Sequence, residues 1–458
     1  MTNTSCRLVR QWLRCGWWLA LIALCVWVDH LRADGAVPTL LLLGNTFATP
    51  SWVMRKVARR LNNNAVFAGN VNRSYDSEFR QRGVKMGDTV KARLPQRYEV
   101  TVGPVMNPTP LTDQTVDVTI SDQSNIGMEY DSWSATLYVD DYMERYGNGA
   151  VDALINNIDY TGLSRCYRQV AQAVGTPGVV PGSTGTLPQA GNQVYLDAHT
   201  KLIEAGAYGP YNAMLTADMH ANIVNANSSN VFHPGGTISA NWKRGQFGMM
   251  AFGIDRWFLD ENVETHVVGA LGGTPLINGA SQTGSSIAID GAGGAVTNYW
   301  LEGDVIQFAG SFAINPLSHR AKASLKDFVV TANTTSTAGG VLTTPIKPDL
   351  IVSGPWATCS ASPANNAAVT TFGHASSYAA VSTPQGLIYH KDAFALVMAD
   401  LVLPRGLWVS ERISNARLGI SIRMLKDHDV VNDVSPARLD TAHGWATVRH
   451  ELACRVCA

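Results

Sequence analysis

The sequence contains none of the short motifs that declare a chemistry. It has no G-x-G-x-x-G, no phosphate-binding loop, no H-E-x-x-H and no G-x-S-x-G elbow. The glycine runs GALGG and GAGG lack the lysine and the strand-to-helix setting that a phosphate cradle needs. Charge is also scarce. Only 16% of the 458 residues are Asp, Glu, Lys or Arg, and 35 Lys plus Arg stand against 36 Asp plus Glu. That balance supplies no general polyanion-binding signal and removes one barrier to self-association. The seven cysteines are odd in number and clumped, at 6, 15, 25, 166, 359, 454 and 457, so they form no disulfide framework. Cys454 and Cys457 make a single C-x2-C, which is half a zinc site at best. These absences argue against an enzyme and against a secreted disulfide scaffold. No cofactor and no metal is called for.

The opening of the chain points the other way. Residues 17–28 are the unbroken apolar run WWLALIALCVWV, preceded by Arg7, Arg10 and Arg14. A bilayer span needs about 20 residues, so the run is short for a transmembrane helix. It fits the apolar region of a signal peptide better, although Leu31-Arg32-Ala33 is a poor cleavage site. Taken alone it predicts a signal peptide or short anchor; a buried segment and a wrongly assigned start are the alternatives.

Beyond it the length predicts two or three domains. Thr49 and Pro50 suit the N-cap and first position of a short helix, with Val53, Val57 and Leu61 on one face. Arg55, Lys56, Arg59 and Arg60 make its other face basic, as a solvated surface or as an arm against an acidic neighbour or nucleic acid. Val90/Ala92/Leu94 and Val116/Val118/Ile120 alternate as two strands of a long hairpin, with little reason to pack on its own body. Leu154 and Ile158, extended by Tyr167, Val170 and Val174, give a helical stripe that Gly147, Gly149 and Gly162 interrupt. A helix is expected over about 193–205, ending at Gly206. A buried strand, YNAMLT, follows, and then a helix capped by Asp218. From about 266 to 380 short β-prone runs between Gly, Ser, Thr and Asn clusters predict a small barrel or sandwich inserted into the main chain. HKDAFALVMADL reads as a returning helix, and two strands close the chain. His390 with Asp392, and Asp427 with Asp429 and Asp433, have the wrong spacing for catalysis or a calcium loop, and read as a first-turn acid and a solvated turn. The tryptophans beyond the four of the opening are scattered singly, as core or interface anchors are.

Two blocks carry a resemblance. NTFATPSWVMRKVARRLNNNAVFAGNVNRSYDSEF followed by GDTVKARLPQRY is similar to the start of the major capsid (coat) proteins of tailed double-stranded DNA bacteriophages, and more narrowly to the coat-protein family of the short-tailed Salmonella phages. LIYHKDAFALVMADLVLP, then GISIRMLKDHDVVNDVSPARLDTAHGWATVRHELACRV, resembles its C-terminal signature. The resemblance covers about residues 45–458, more loosely in the middle. It implies an α+β, Hong Kong 97-like capsid fold with an N-terminal arm, an extended β-hairpin loop, a peripheral domain with a spine helix, an axial domain and an inserted β-rich domain. Placed on this sequence, 44–87 would be the arm and 88–125 the extended loop. Residues 126–265 would hold the peripheral domain with its spine helix and the first part of the axial domain, 266–380 the insert, and 381–458 the remainder. The implied function is self-assembly into hexamers and pentamers of an icosahedral shell around the genome, in the virion, after assembly in the host cytoplasm. Partners would be further copies, a scaffolding protein, a portal and non-specifically held double-stranded DNA, with no membrane in the mature form. Arg55, Lys56, Arg59 and Arg60 would face DNA or a neighbouring subunit, and Lys91, Arg93 and Arg97 would contact a neighbour from the extended loop. Residues 1–43 have no counterpart in the family, so an over-extended reading frame is the simplest expectation for them. The competing readings are an exported or anchored β-rich surface protein, and a minor virion or encapsulating shell protein of the same fold.

Overall fold

The computed structural model describes residues 66–75, 89–100, 103–104, 113–131, 148–182, 188–226, 251–372, 381–407, 409–415 and 420–458. The apolar run at 17–28 and the basic face of Arg55, Lys56, Arg59 and Arg60 lie outside them. The described residues form three β-sheets with their own cores, and a two-stranded hairpin.

The first sheet takes its strands from opposite ends of the chain. β3 (Asp122–Asp131) pairs along its whole length with residues 434–443 of β18 (Val434–Thr447). On its other side β18 pairs with β15 (Phe394–Ala399) and β17 (Ile420–Lys426), and β17 pairs with β16 (Val409–Asn415). One face of the sheet is covered by α2 (Asn148–Cys166), which buries Leu154, Ile155, Ile158 and Leu163 against Ile422, Met424, Leu439 and Trp445. The expected interruption at Gly149 and Gly162 does not occur, α2 being one continuous helix through both; Gly147 lies outside the described residues. Gly162 is there for packing. A Cβ at that position would stand 2.5 Å from the Trp445 ring. The stripe also ends earlier than its period suggests, because a 3-10 turn at Tyr167–Gln169 closes the helix and Val174 lies in β4 (Ala173–Gly175).

The segment HKDAFALVMADL is a strand, not a helix. After a 3-10 turn at Lys391–Ala393, β15 runs with five successive buried residues, Phe394 to Met398. A short apolar run covered on both faces has no period, so helix and buried strand look alike in sequence. His390 and Asp392 sit at this turn, where the Asp392 amide donates to His390 Nδ1 at 3.2 Å and the Asp392 carboxylate accepts from Asn72 at 3.0 Å.

The second sheet has the order β4, β19 (Ala453–Cys457), β14 (Ser382–His390), β5 (Tyr211–Leu215) and β6 (Arg256–Leu259), with β7 (Thr265–Val267) also on β14. It is mixed, with β19–β4 and β5–β6 parallel. Its core packs Tyr195, Ala198 and Leu202 of α3 (Pro188–Glu204), and Met219 and Ile223 of α4 (Ala217–Ala226), against Ala213, Ile388 and Val456. Asp218 does not cap α4; it lies in the first turn, and Thr216 Oγ1 accepts the Met219 amide at 3.3 Å as the cap. Three residues apart on a strand, Cys454 and Cys457 point to opposite faces. Cys454 faces the α3 core, and Cys457 lies beside Gln385 Oε1 at 3.2 Å. Burial pushes the Cys454 thiol up to about 12, which keeps it in the protonated, unreactive form.

The third sheet is a closed barrel. Its order is β13 (Val369–Thr371), β10 (Val305–Ile314), β11 (Ala321–Val330), β12 (Leu342–Leu350), β9 (Gly284–Asp290) and β8 (Leu276–Ile277). A Leu276–Ala368 bridge and the Ile277 N to Ala367 O bond at 3.0 Å join the last strand to the first. Closure removes the exposed edges that such short polar strands would otherwise present. The interior is filled by Ile287, Ile289, Trp300, Ile306, Phe308, Phe328 and Ile346, and Trp300 Nε1 donates to Thr371 Oγ1 at 2.9 Å. Between Gln307 and Phe312 the register of β10 slips at Gly310, whose φ of +84° suits only glycine.

Candidate subunit interface

β1 (Thr89–Arg93) and β2 (Thr115–Thr119) pair antiparallel, with Val90 opposite Val118 and Ala92 opposite Val116, as the alternation predicts. The hairpin packs on its own body at its base, contrary to the sequence expectation. Ala92 and Val118 are fully buried with Ala395, Val397, Ala446 and Val448. Gly444 makes this approach possible. A Cβ there would lie 2.0 Å from the Thr119 carbonyl oxygen, so any other residue would push the hairpin off β18. Nothing near residue 444 in the sequence signals the requirement, because the hairpin backbone arrives from more than 300 positions away.

Beyond the base the character changes. Tyr98 is 63% and Val100 85% exposed, and Lys91 and Arg93 project on the solvent side of β1. Arg97 is engaged within its own chain: Nη2 lies 3.2 Å from Glu451 Oε1, and the guanidinium sits 4.8 Å from the centroid of the Trp356 ring. Arg449 Nε reaches the same Glu451 oxygen at 3.2 Å. Burial works against the charge on Glu451, but His450, Arg97 and Arg449 outweigh it and hold the carboxyl down, at about 2. Burial also depresses His450, to about 4, so His450 is neutral at pH 7 and the two arginines carry the stabilisation. The strand leaving the hairpin base is thereby pinned to the C-terminal 3-10 turn His450–Leu452 and to Trp356.

The segment before the hairpin is built into the body. Phe67, in the single turn α1 (Val66–Gly69), is fully buried and stacks on Trp445 at 4.9 Å. Asp159 of α2 accepts the Phe67 and Ala68 amides at 3.3 and 2.9 Å, satisfying donors that the start of a helix leaves open. Burial raises the Asp159 carboxyl to about 7, with the charge of Asp260 adding to it and the backbone bonds opposing. This link joins residues 92 positions apart, which is why sequence reading missed it.

Asp427, Asp429 and Asp433 lie at the β17–β18 turn. Asp429 accepts from the Val431 amide at 2.9 Å and from Asn432 Nδ2 at 2.7 Å, so it shapes the turn. Among the described residues no group of three His, Cys, Asp or Glu is placed to hold a metal, and no helix is long and apolar enough to cross a membrane.

A sheet crossed by one long helix, a mixed second sheet, an inserted barrel and a hairpin anchored at its base make up the Hong Kong 97-like phage capsid fold. The chain belongs to the family described as P22 coat protein, gene protein 5, whose model matches residues 49–455. It is a major capsid protein, whose copies associate into the icosahedral shell of a phage, and its role is structural. A comparison with curated proteins finds no match. Among solved structures the chain is similar to that of Mycobacterium phage Che8, with 12% identity and a TM-score of 0.45 over 85% of this chain and 90% of that one. It is also similar to the capsid of the cyanophage P-SCSP1u, with 9% identity and a TM-score of 0.42 over 82% and 84%. A third similarity is to the CUS-3 coat protein I-domain, with 19% identity and a TM-score of 0.15, covering 24% of this chain and 97% of that one.

Proposed function

We propose that the shell is built from hexamers and pentamers in which the distal part of the β1–β2 hairpin lies on a neighbouring subunit. The observation that carries this is the contrast along the hairpin, with Ala92 and Val118 fully buried at the base and Val100 85% exposed beyond it. An apolar side chain held away from its own body by an anchored base suits burial by another copy. In this reading 44–87 is the arm, 88–125 the extended loop, 126–265 the peripheral domain with the start of the axial domain, 266–380 the insert and 381–458 the remainder. Lys91 and Arg93 meet the neighbour directly, and Arg97 positions the loop. Arg55, Lys56, Arg59 and Arg60 face packaged double-stranded DNA, where phosphate contact needs no specific sequence. Assembly takes place in the host cytoplasm on a scaffolding protein, with a portal completing the shell.

The test is a Lys91→Glu, Arg93→Glu double variant of the full chain. It is expected to keep the denaturation midpoint of the unassembled subunit and to lose particle yield. Particles at wild-type yield would remove these residues from the interface.

A further inference from the structure

The sheet of β3, β18, β17 and β16 has a second face, away from α2. Strand alternation sends Leu439, Met424 and Ile422 toward the helix and turns Arg438, Asp440, Arg423 and Leu425 outward. On this outer face lies a trough of about 570 Å³, lined by Gly127, Leu407, Leu425 and Pro436 and carrying three charged groups, Arg438, Glu129 and Asp427. Its floor is open at Gly127, where a Cβ would meet no atom within 4 Å. Its walls are fixed. Arg423 lies 2.6 Å from the buried Asp440 carboxylate and donates to the Val402 carbonyl at 2.6 Å, tying down the loop that carries Leu407. Ser421 secures the same loop through Asp400 at 2.9 Å. Arg438 stands at the rim, 48% exposed, its Nε held by Asp440 at 2.9 Å.

Next to the trough the β17–β18 turn presents Val430 and Val431, which are 84% and 90% exposed. The turn that carries them is stiff. Asp429 ties the Val431 amide and Asn432, and Asp429 and Val434 exchange backbone bonds at 2.8 and 3.3 Å. Two adjacent valines held rigidly in water are unfavourable unless something covers them. Among the described residues of the chain itself, nothing does.

We infer that Val430 and Val431 of one subunit seat in the trough of the next copy, against Leu407 and Leu425, with Arg438 facing the acidic flank of the incoming turn at Asp433. The occupant is a second copy because this chain builds a shell of itself, and because one hairpin offers both the projection and the receiving surface. Such a contact is head-to-tail, so a set of them closes only as a ring. The inference rests on the capsid reading and adds a specific contact to it.

The test uses particles of the full chain carrying Val431→Cys with Leu407→Cys under mild oxidation. The expected result is covalent multimers on a non-reducing gel, absent from either single variant and from Val100→Cys with Leu407→Cys. Intact particles without the 431–407 link, or with a 100–407 link that puts the hairpin tip in the trough, would overturn the inference. A second variant, Val431→Asp, is expected to leave the subunit's denaturation midpoint unchanged and to raise the concentration needed for assembly about tenfold. Val431→Leu should restore it. Assembly of Val431→Asp at the wild-type concentration would equally overturn the contact. Particles that form without the contact defeat this inference alone, whereas a wild-type chain that forms no shell defeats the capsid reading with it.

Discussion

Replacing Gly162 by alanine should destabilise the subunit, although the same change improves most helices. In an exposed helix interior Gly→Ala gains about 1 kcal/mol from propensity. Here the new methyl would lie 2.5 Å from Cε2 and Cζ2 of Trp445 and 2.9 Å from Cδ2. The indole cannot simply withdraw, because Phe67 stacks on it at 4.9 Å and is itself fully buried between Tyr389 and Phe394. Forcing a methyl into a packed site of this kind costs about 1–3 kcal/mol. The overlap is with a rigid ring wedged from behind, so the upper part of that range applies and the propensity gain is outweighed, leaving a net loss of about 1–2 kcal/mol. Gly149, in the first turn of the same helix, is the control. Nothing lies within 4 Å of its added Cβ, so Gly149→Ala should be neutral or stabilising. The assay is denaturant unfolding of the unassembled subunit followed by circular dichroism. Adding Trp445→Phe to Gly162→Ala should recover part of the loss, as expected for residues in contact. A Gly162→Ala subunit at least as stable as wild type would refute the packing argument.

Three further outcomes follow from the same geometry. Gly444→Ala should drive the hairpin base away from β18, because its Cβ would stand 2.0 Å from Thr119 O, and limited proteolysis should then cut near residues 95–112 faster than in wild type. For Asp159 the sign is set by a carboxyl raised from 3.8 to about 7. Its contribution is complete below pH 4 and is lost as pH rises through 7, by up to about 4 kcal/mol. Asp159→Asn can still accept an amide and should flatten that part of the stability profile measured by denaturant titration. Lys201 lies 2.6 Å from Asp327 and donates to the Ala173 carbonyl at 2.8 Å, joining α3 and β4 to strand β11 of the barrel. Asp327→Ala would leave that ammonium largely buried without its counter-charge, at a cost of about 3 kcal/mol. Hydrogen exchange should show faster opening in β11 than in β17.

What could be read in advance follows the reach of each interaction along the chain. The β1–β2 pairing was legible because Val90, Ala92, Val116 and Val118 alternate on strands that face water on one side. The β texture of the insert was legible from its turn residues, and the capsid family from two long blocks in order. Features set by distant partners were not. The run FALVMA has no alternation because β15 is covered on both faces, so it passed for helix. Gly162 reads locally as a break because its reason, Trp445, is 283 positions away. Gly444 and the Asp159 bonds to Phe67 and Ala68 leave no local trace at all. The base of the hairpin was misjudged for the same reason, since its apolar side could be assigned to another subunit until Ala395 and Val448 were placed beneath it.

The most direct test of the account is a cryo-electron microscopy reconstruction of particles purified from cells expressing the full chain. The account predicts an icosahedral shell in which residues 95–112 of each subunit lie on an adjacent copy while Ala92 and Val118 remain on their own β15 and β18. A soluble monomer, or a shell in which the hairpin tip folds back on its own subunit, would contradict it.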